Sequence, residues 1–161
     1  AWVFSGANPK TGRYYVYLET LGGGGGATAH ADGLDGVQVH ITNTSNLPVE
    51  CLETEYPLFV EEYALADDSG GPGKFRGGLG LRRTIQVLDH EAQFLGTLER
   101  ADIPPWGLEG GEPGGRGALL LNPGTSGERR LPSKVWGYPL KPGDRGLIVT
   151  PGGGGYGRQG E

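Results

Sequence analysis

Methionine is absent from this chain, and cysteine occurs once, as Cys51. A single cysteine excludes a disulfide within the chain, so the cysteine content gives no sign of an oxidising compartment, and we expect a cytoplasmic protein. Apolar runs are too short to cross a bilayer, and no segment has the pattern of a signal peptide. Loss of an initiator residue before Ala1, or a cut from a longer polypeptide, would each explain the missing methionine. The apolar opening at residues 2–4 favours the cut.

Positively charged residues are also fewer than negatively charged ones. Lysine and arginine together occupy 14 positions against 19 for aspartate and glutamate, which gives a net charge of −5. Such a balance provides no general attraction to nucleic acid or to an anionic membrane, so neither is an expected partner.

Glycine, in contrast, occupies 33 of the 161 positions, and with 12 prolines it makes up more than a quarter of the chain. Disorder is common at that proportion, but 3 Trp, 7 Tyr and 4 Phe residues and several alternating segments favour an ordered β structure. The glycines are concentrated in residues 22–33, 68–80, 103–117 and 150–157. Because glycine lets other groups approach the backbone closely, the sequence predicts tight loops around another group, which composition alone does not identify.

Strands are predicted where apolar and polar residues alternate over short segments between turn signals. These segments are residues 14–18, 37–42, 59–65, 79–87, 94–98, 118–121 and 147–149, and Arg83 breaks the apolar side of the fourth. No long window has the apolar spacing of an amphipathic helix without an intervening Gly or Pro. The sequence therefore predicts one mainly β unit over residues 1–161. We expect an antiparallel sandwich or barrel with glycine-rich loops, forming part of a larger α+β subunit.

Residues 22–26 follow a predicted strand and could bind phosphate through successive backbone N–H groups. A nucleotide-binding loop also needs a helix after it, and residues 27–33 are a poor helix start. The P-loop spacing is absent as well. A tight turn is therefore favoured over a phosphate site at this position.

His30 and Asp32 are candidate metal ligands, because imidazole and carboxylate groups suit Zn²⁺ or Mn²⁺. The two side chains would point the same way from an extended segment, and Asp35 and His40 follow. The alternative is that the Asp-Gly pairs at 32–33 and 35–36 are ordinary turns, with His30 capping or solvated. That alternative is favoured.

Four polar residues are candidates for binding substrate or phosphate: Asn43, Thr44, Lys74 and Arg76. The amide and hydroxyl of the first two could orient a polar substrate, although these residue types also form turns. The two cations lie in a glycine-framed loop that would suit a phosphate or carboxylate. A rigid turn with solvated basic side chains is the alternative.

Carboxylates at positions 50, 53 and 55 could include a general base, although most such glutamates are simply solvated. Cys51 has no obvious basic neighbour that would make it a nucleophile, and we expect it to be a buried small residue. No catalytic residue is assigned from the sequence.

Eight short motifs in a fixed order resemble the C-terminal part of the hydantoinase B/5-oxoprolinase family. They cover nearly the whole chain and are ETLGGG (19–24), TNTSNLPVE (42–50), ETEYPL (53–58), DSGGPGKFRGGLG (68–80), PWGLEGG (105–111), LPSK (131–134), LKPGD (140–144) and TPGGGGYG (150–157). The chain resembles N-methylhydantoinase B-like subunits, and acetone and acetophenone carboxylase subunits are relatives of that family.

The resemblance implies a cytoplasmic, hetero-oligomeric, ATP-dependent enzyme that hydrolyses a small cyclic amide of the hydantoin or 5-oxoproline type. The implied partners are the remainder of the hydantoinase B-like subunit and a hydantoinase A-like ATP-binding subunit. ATP and a divalent metal ion are implied cofactors, bound mainly outside this chain, because the family's His/Asp positions lie in its N-terminal part. A noncatalytic assembly module of such a complex is one alternative. Part of a related ATP-dependent ketone carboxylase is the other.

Overall fold

A computed structural model describes residues 1–38 and 42–160 of the chain. In this part of the chain a single α-helix accompanies nine β-strands, all of them short. In chain order the elements are β1 (Trp2–Ala7), β2 (Tyr14–Glu19), α1 (Val49–Glu55), β3 (Leu58–Leu65), β4 (Leu81–Val87), β5 (Ala92–Thr97), β6 (Ala118–Leu121), β7 (Arg129–Leu131), β8 (Lys134–Leu140) and β9 (Arg145–Val149). No helix in the described residues is long and apolar enough to cross a membrane.

The strands form two separate antiparallel sheets. The four-stranded sheet has the order β2-β1-β5-β8, and the five-stranded sheet has the order β3-β4-β9-β6-β7. Both sheets are open, and their inner faces share one apolar cluster, so the architecture is the predicted sandwich and not a closed barrel.

The core lies between the two sheets. Trp2 and Phe4 point inward from β1 and are fully buried, and Phe94 joins them from β5. The rings of Phe4 and Phe94 meet edge to face at 5.2 Å between centroids, the geometry that aromatic pairs favour. From the other sheet, Ile85 and Ile148 complete the cluster. A Cβ at position 146 would lie 3.1 Å from the Phe4 ring, so glycine there leaves room for the aromatic packing.

Most of the predicted strands are present. The segments near residues 14–18, 59–65, 79–87, 94–98, 118–121 and 147–149 correspond to β2, β3, β4, β5, β6 and β9. Of the segment 37–42, Val37 forms an isolated bridge with Gly23, and residues 39–41 lie outside the described residues. In β3 the predicted apolar side is wrong, because a bulge between Val60 and Glu62 shifts the register and leaves Phe59 44% exposed.

Three strands and the helix have no counterpart in the sequence prediction. Strand β8 contains Gly137, which has a φ of 61°, and Pro139, and together they interrupt the alternation. Strand β7 has three residues, too few for a pattern. Helix α1 has seven residues and buries only Leu52, so its apolar face is a single side chain.

Five glycine-bearing segments lie side by side outside the two sheets, and we call them the glycine bundle. They are residues 22–27, 33–36, 69–80, 105–115 and 150–157. Main-chain hydrogen bonds of 2.8 Å run across the bundle from Gly71 N–H to Gly153 O, from Gly153 N–H to Gly78 O, and from Gly78 N–H to Gly25 O. The backbone groups of these segments therefore satisfy one another.

The glycines allow neighbouring main chains to touch. A Cβ built on Gly153 would lie 1.9 Å from Gly25 O, and one built on Gly78 would lie 1.9 Å from Leu34 O. No side chain fits at such distances, and the obstructing atoms belong to backbone. The close approach predicted from the sequence is present, and the groups approached are the main chains of other bundle segments.

We expect Gly153→Ala to unfold or severely destabilise the chain, by more than about 3 kcal/mol, because the added methyl displaces hydrogen-bonded backbone. Gly127→Ala is the matched control, since the nearest atom to its Cβ is Thr125 Oγ1 at 3.6 Å. That control should change the free energy of unfolding by less than about 0.5 kcal/mol. Urea denaturation of both variants measures the difference, and equal midpoints would contradict the proposed packing constraint.

Candidate functional site

The loop at residues 22–26 does not form a phosphate cradle. The N–H groups of Gly24, Gly25 and Ala27 donate to Pro151 O, Leu34 O and Gly154 O at 2.8–2.9 Å. These three N–H groups therefore donate hydrogen bonds to carbonyl oxygens within the glycine bundle. The turn interpretation of this loop fits the structure, and the loop does not suit the phosphates of ATP.

The candidate metal ligands His30 and Asp32 are both exposed. Asp32 Oδ1 accepts the backbone N–H of Arg76 at 2.7 Å, which gives this carboxylate a role in joining two segments. Within residues 1–38 and 42–160, no group of three or more His, Cys, Asp or Glu side chains is arranged to hold a metal ion. The histidine at position 40 lies outside the described residues.

Arg76 and Lys74 do not line the same cavity. The Arg76 guanidinium is 3.2 Å from Asp35 Oδ1 and donates to Gly77 O at 2.6 Å. Arg76 lines a cavity of about 750 Å³, whose wall also contains Asp67 and Asp68. Lys74 is exposed and outside that lining. With one arginine against two carboxylates, the cavity is a poor match for phosphate.

Asp35 is held by several donors at once. Its Oδ1 accepts the Leu79 N–H at 2.7 Å as well as the Arg76 guanidinium. The hydrogen bond from Leu79 lowers the pKa of Asp35 below its ordinary value of 3.8, desolvation opposes this effect, and Arg76 adds to the lowering.

Thr44 but not Asn43 lines the second cavity of interest, which measures about 550 Å³ and is lined by residues 17–20, residues 44–48 and Tyr56. We call it the β2-end cavity. Thr44 belongs to the lining, and its Oγ1 is 3.3 Å from Thr20 Oγ1. Asn43 is exposed beside it, with a φ of 40° that Asn tolerates better than most residues. Two of the family-like motifs, 19–24 and 42–50, meet at this cavity.

A buried ion pair stands behind the β2-end cavity, and the sequence reasoning missed it. Arg83 in β4 is 0% exposed and Glu19 at the end of β2 is 7% exposed. Arg83 Nη1 is 2.9 Å from Glu19 Oε2. The Tyr17 hydroxyl donates to the same oxygen, and Glu19 Oε1 accepts the Leu47 N–H at 2.6 Å. The carboxylate thus gathers three partners from three segments.

The pairing of Arg83 is incomplete. Its Nη2 donates to Leu47 O over 3.4 Å, and its guanidinium carbon lies 4.5 Å from the Tyr63 ring centroid. The Nη1 approach to Glu19 is close in distance but lacks hydrogen-bond alignment, and Nε has no aligned acceptor among the described residues. Electrostatic attraction and ring stacking therefore hold this cation more than hydrogen bonds do.

The ion pair fixes the wall of the cavity. Tyr63 donates its hydroxyl to Asn46 Oδ1 at 2.8 Å, and Asn46 Nδ2 donates to Thr20 O at 2.9 Å. Together with the Leu47 contact, these bonds clamp residues 46–47 against the end of β2. Burial raises the pKa of Tyr17, and its hydrogen bond to Glu19 adds to the rise, while the charge of Arg83 acts in the opposite direction. Tyr17 therefore remains a neutral donor.

One signal for this site was present in the sequence. A charged residue at the apolar position of a buried strand requires a buried partner, because an unpaired charge there is costly. Arg83 was visible as that residue, but its partner Glu19 lies 64 positions away and has no pattern that marks it.

The candidate general base and the cysteine of helix α1 lie elsewhere. Glu53 accepts the Val60 N–H at 3.0 Å, and Cys51 is exposed, so its predicted burial is wrong.

Replacing Arg83 with Met should destabilise the chain by about 3–5 kcal/mol, because Glu19 then keeps a buried charge without its cation. Lys134→Met serves as control, since Lys134 and Glu99 lie 3.9 Å apart with side chains 72% and 86% exposed. This exposed pair should contribute less than about 1 kcal/mol. Chemical denaturation gives both values, and a loss at Arg83 no larger than at Lys134 would show that the buried pair is unimportant.

The depressed pKa of Asp35 predicts acid sensitivity. A carboxyl whose folded pKa lies below its ordinary value stabilises the fold above that value and loses this effect as the pH falls through the folded pKa. The free energy of unfolding should therefore decline below pH 3.8. Asp35→Asn should show a shallower decline in denaturation curves recorded over that range. Equal slopes for the two proteins would contradict this assignment.

Comparison with known proteins adds family information to this geometry. The family model for hydantoinase B/oxoprolinase matches residues 1–159. A protein of Pseudomonas sp. (strain NS671), named as the B component of a putative D-/L-hydantoinase, is 36% identical over 155 residues, which cover 96% of this chain and 26% of that protein. The 5-oxoprolinase of Dictyostelium discoideum is 38% identical over 143 residues, or 89% of this chain and 11% of that protein.

Two solved structures share the fold. The ATP-dependent caprolactamase of Pseudomonas jessenii superposes with a TM-score of 0.81 at 28% identity, covering 98% of this chain and 28% of that one. Nucleotide-free acetone carboxylase gives a TM-score of 0.76 over 97% of this chain and 25% of that one, at 21% identity, a likeness of fold alone. The chain thus spans about a quarter of the hydantoinase component, and the match over residues 1–159 shows that it belongs to the hydantoinase B/oxoprolinase family.

Proposed function

We propose that this chain is the C-terminal part of a hydantoinase B-like subunit that works with a hydantoinase A-like subunit in the ATP-dependent hydrolysis of a small cyclic amide. Relatives named for hydantoin, 5-oxoproline and caprolactam match this chain at 36–38% identity. All three compounds are cyclic amides. We place the enzyme in the cytoplasm, as the resemblance implies, and take the substrate to be of the hydantoin or 5-oxoproline type.

The observation that carries a direct role for this chain is the β2-end cavity. Its volume of about 550 Å³ suits a small molecule. The lining offers the hydroxyls of Thr20, Thr44 and Ser45, which are neutral hydrogen-bonding groups beside the rings of residues 17 and 56. The ring amide of such a substrate is neutral and carries one donor and one acceptor. We assign Thr44, which lines the cavity, and Asn43, the exposed residue before it, to substrate contact on this basis.

ATP and a divalent metal ion belong, in this proposal, to the rest of the enzyme. The described residues do not fit either group, because the amides of residues 24, 25 and 27 are bonded within the bundle and the Arg76 guanidinium is paired with Asp35. His30 and Asp32 supply two candidate ligands without a third described beside them. The present chain would then contribute a rigid wall of the substrate site and no step of the chemistry on ATP.

A noncatalytic role in assembly is the second candidate. The internal bonding of the glycine bundle favours it, because these loops turn their polar backbone groups toward one another. A related ATP-dependent ketone carboxylase is the third candidate, and the fold of acetone carboxylase supports only the shared architecture.

Variants in the complete enzyme separate the first two candidates. Thr44→Val removes the hydroxyl with little change of shape, and Asn43→Gly removes the amide while keeping the positive φ. We expect each to lower kcat/KM for the cyclic amide by about tenfold or more, because a lost hydrogen bond to substrate corresponds to roughly 1–2 kcal/mol. Steady-state assays of ATP-dependent ring opening, with Thr44→Ser as the conservative variant, measure the effect.

Lys74→Met and Ser126→Ala are the accompanying variants in that assay. Lys74 represents the alternative site at residues 70–76, and Ser126 is exposed in the β6–β7 connection. Loss of activity at Lys74 with full activity at Thr44 would move the substrate to the other loop. Full activity in all variants, with the subunits still assembled, would leave this chain an assembly module.

A further inference from the structure

The outward face of the four-stranded sheet carries no charged side chain on three of its strands, β2, β1 and β5, and on β8 Lys134 lies opposite the outward residue Thr97 at one end. In β2 the inward residues Tyr15 and Tyr17 are buried, while Tyr14, Val16 and Leu18 point outward and are 66%, 56% and 64% exposed. The outward residues of β1 and β5 are equally uncharged: Val3, Ser5, Ala7, Gln93, Leu95 and Thr97. An antiparallel sheet that faces water ordinarily turns polar side chains to it.

Strand register aligns the apolar residues of this face into one row. Val3 pairs with Leu18 on one side and with Leu95 on the other. Opposite Leu95, a shift in the β8 pairing leaves Trp136 outside the core, and Trp136 is 85% exposed. The row Leu18–Val3–Leu95–Trp136 therefore crosses all four strands, and we call it the outer stripe.

The other sheet shows what a solvated face of this protein looks like. Its outer surface carries the ion pairs Arg82–Glu62 at 3.0 Å and Arg145–Glu61 at 3.3 Å. Strand β3 is an edge strand there, and its charged side chains protect it from pairing with a strand of another chain, as is common for edge strands in monomeric proteins. Strand β2 is also an edge strand, paired only with β1 in the described residues, yet its outward positions are apolar. The outer face of the five-stranded sheet thus carries ion pairs that suit contact with water, whereas the outer face of the four-stranded sheet is largely apolar.

We propose that the remainder of a hydantoinase B-length polypeptide packs on the outer stripe. This inference rests on the proposed function, which places the chain in such a subunit. The chain spans 26% of the Pseudomonas sp. hydantoinase component and 28% of the caprolactamase chain, so polypeptides of that length bring about three times as much additional mass.

The position of Ala1 also supports packing of the remainder of the polypeptide on the outer stripe. Its amino nitrogen is 2.8 Å from Thr97 O, beside the end of the sheet where Val3, Leu18 and Leu95 lie. Residues that precede this chain in a longer polypeptide would join it at the end of the sheet, two residues before Val3 of the stripe. A covalently linked segment there acts at a high effective concentration, which a separate subunit or a second copy does not have. The uncharged apolar character of the stripe also matches permanent interfaces better than transient ones.

The three tryptophans of the chain provide an internal test by hydroxyl-radical footprinting of the complete hydantoinase B-length subunit. Trp2 is 0%, Trp106 63% and Trp136 85% exposed in the chain itself. If the stripe is covered for at least nine-tenths of the time, Trp136 should be oxidised at least about tenfold more slowly than a tryptophan that is 85% exposed. Its rate of oxidation should then approach that of the buried Trp2. Oxidation of Trp136 as fast as Trp106 or faster would overturn the proposal.

Protection of Trp136 must already be present in the monomeric subunit alone. Protection that appears only when the hydantoinase A-like subunit is added, or that disappears on dilution to monomers, would identify a different occupant and overturn the assignment. Leu18→Lys should restore oxidation of Trp136 by about tenfold while Trp2 stays slow. Leu34→Lys, at a comparably exposed leucine outside the stripe, should leave it unchanged. None of these readouts depends on ATP or turnover, so a failed activity assay remains distinguishable from a failed interface.

Discussion

Contact between main chains in the glycine bundle is the constraint on which the rest of the structure depends. At Gly153 and Gly78 the neighbouring carbonyl oxygens occupy the space of a Cβ, so these positions tolerate no side chain. The bundle is also attached to the sandwich. Thr150, directly after β9, accepts the Leu81 N–H of β4 and donates to Gly22 O, both at 2.7 Å. The geometry of the bundle therefore determines where β2 ends and β4 begins, and with them the position of the candidate site.

The second constraint is the buried pair of Glu19 and Arg83, which connects the two sheets at that site. Each charge would be costly inside the sandwich without the other. The pair is also specific in what it holds, because Glu19 binds the Leu47 N–H and Arg83 stacks on Tyr63. A hydrophobic pair of equal volume could fill the same space, but it would not clamp residues 46–47 to the end of β2. We therefore regard this ion pair as a positioning element of the β2-end cavity.

The sequence alone was informative where structure depends on local patterns. Alternation located β2, which has one buried and one exposed side, and β4, which places the half-buried polar residues Arg82 and Gln86 opposite its apolar side, and the ordered motifs indicated the family. It failed in β3, where the bulge at Val60 reverses which side is buried, and in β8, where Gly137 and Pro139 interrupt the pattern. The partner of Arg83 could not be inferred, since nothing local marks Glu19 as buried. The many glycines were correctly associated with close approach, but composition does not specify which groups approach.

Strand β2 connects the candidate site with the outer stripe. Its inward residues Tyr17 and Glu19 form the base of the β2-end cavity, and its outward residue Leu18 belongs both to the cavity lining and to the stripe. A polypeptide that packs on the stripe would therefore reach the edge of the cavity and add a wall to it. In that arrangement a role in substrate contact and a role in assembly are compatible, because the contact that assembles the subunit also completes its substrate site.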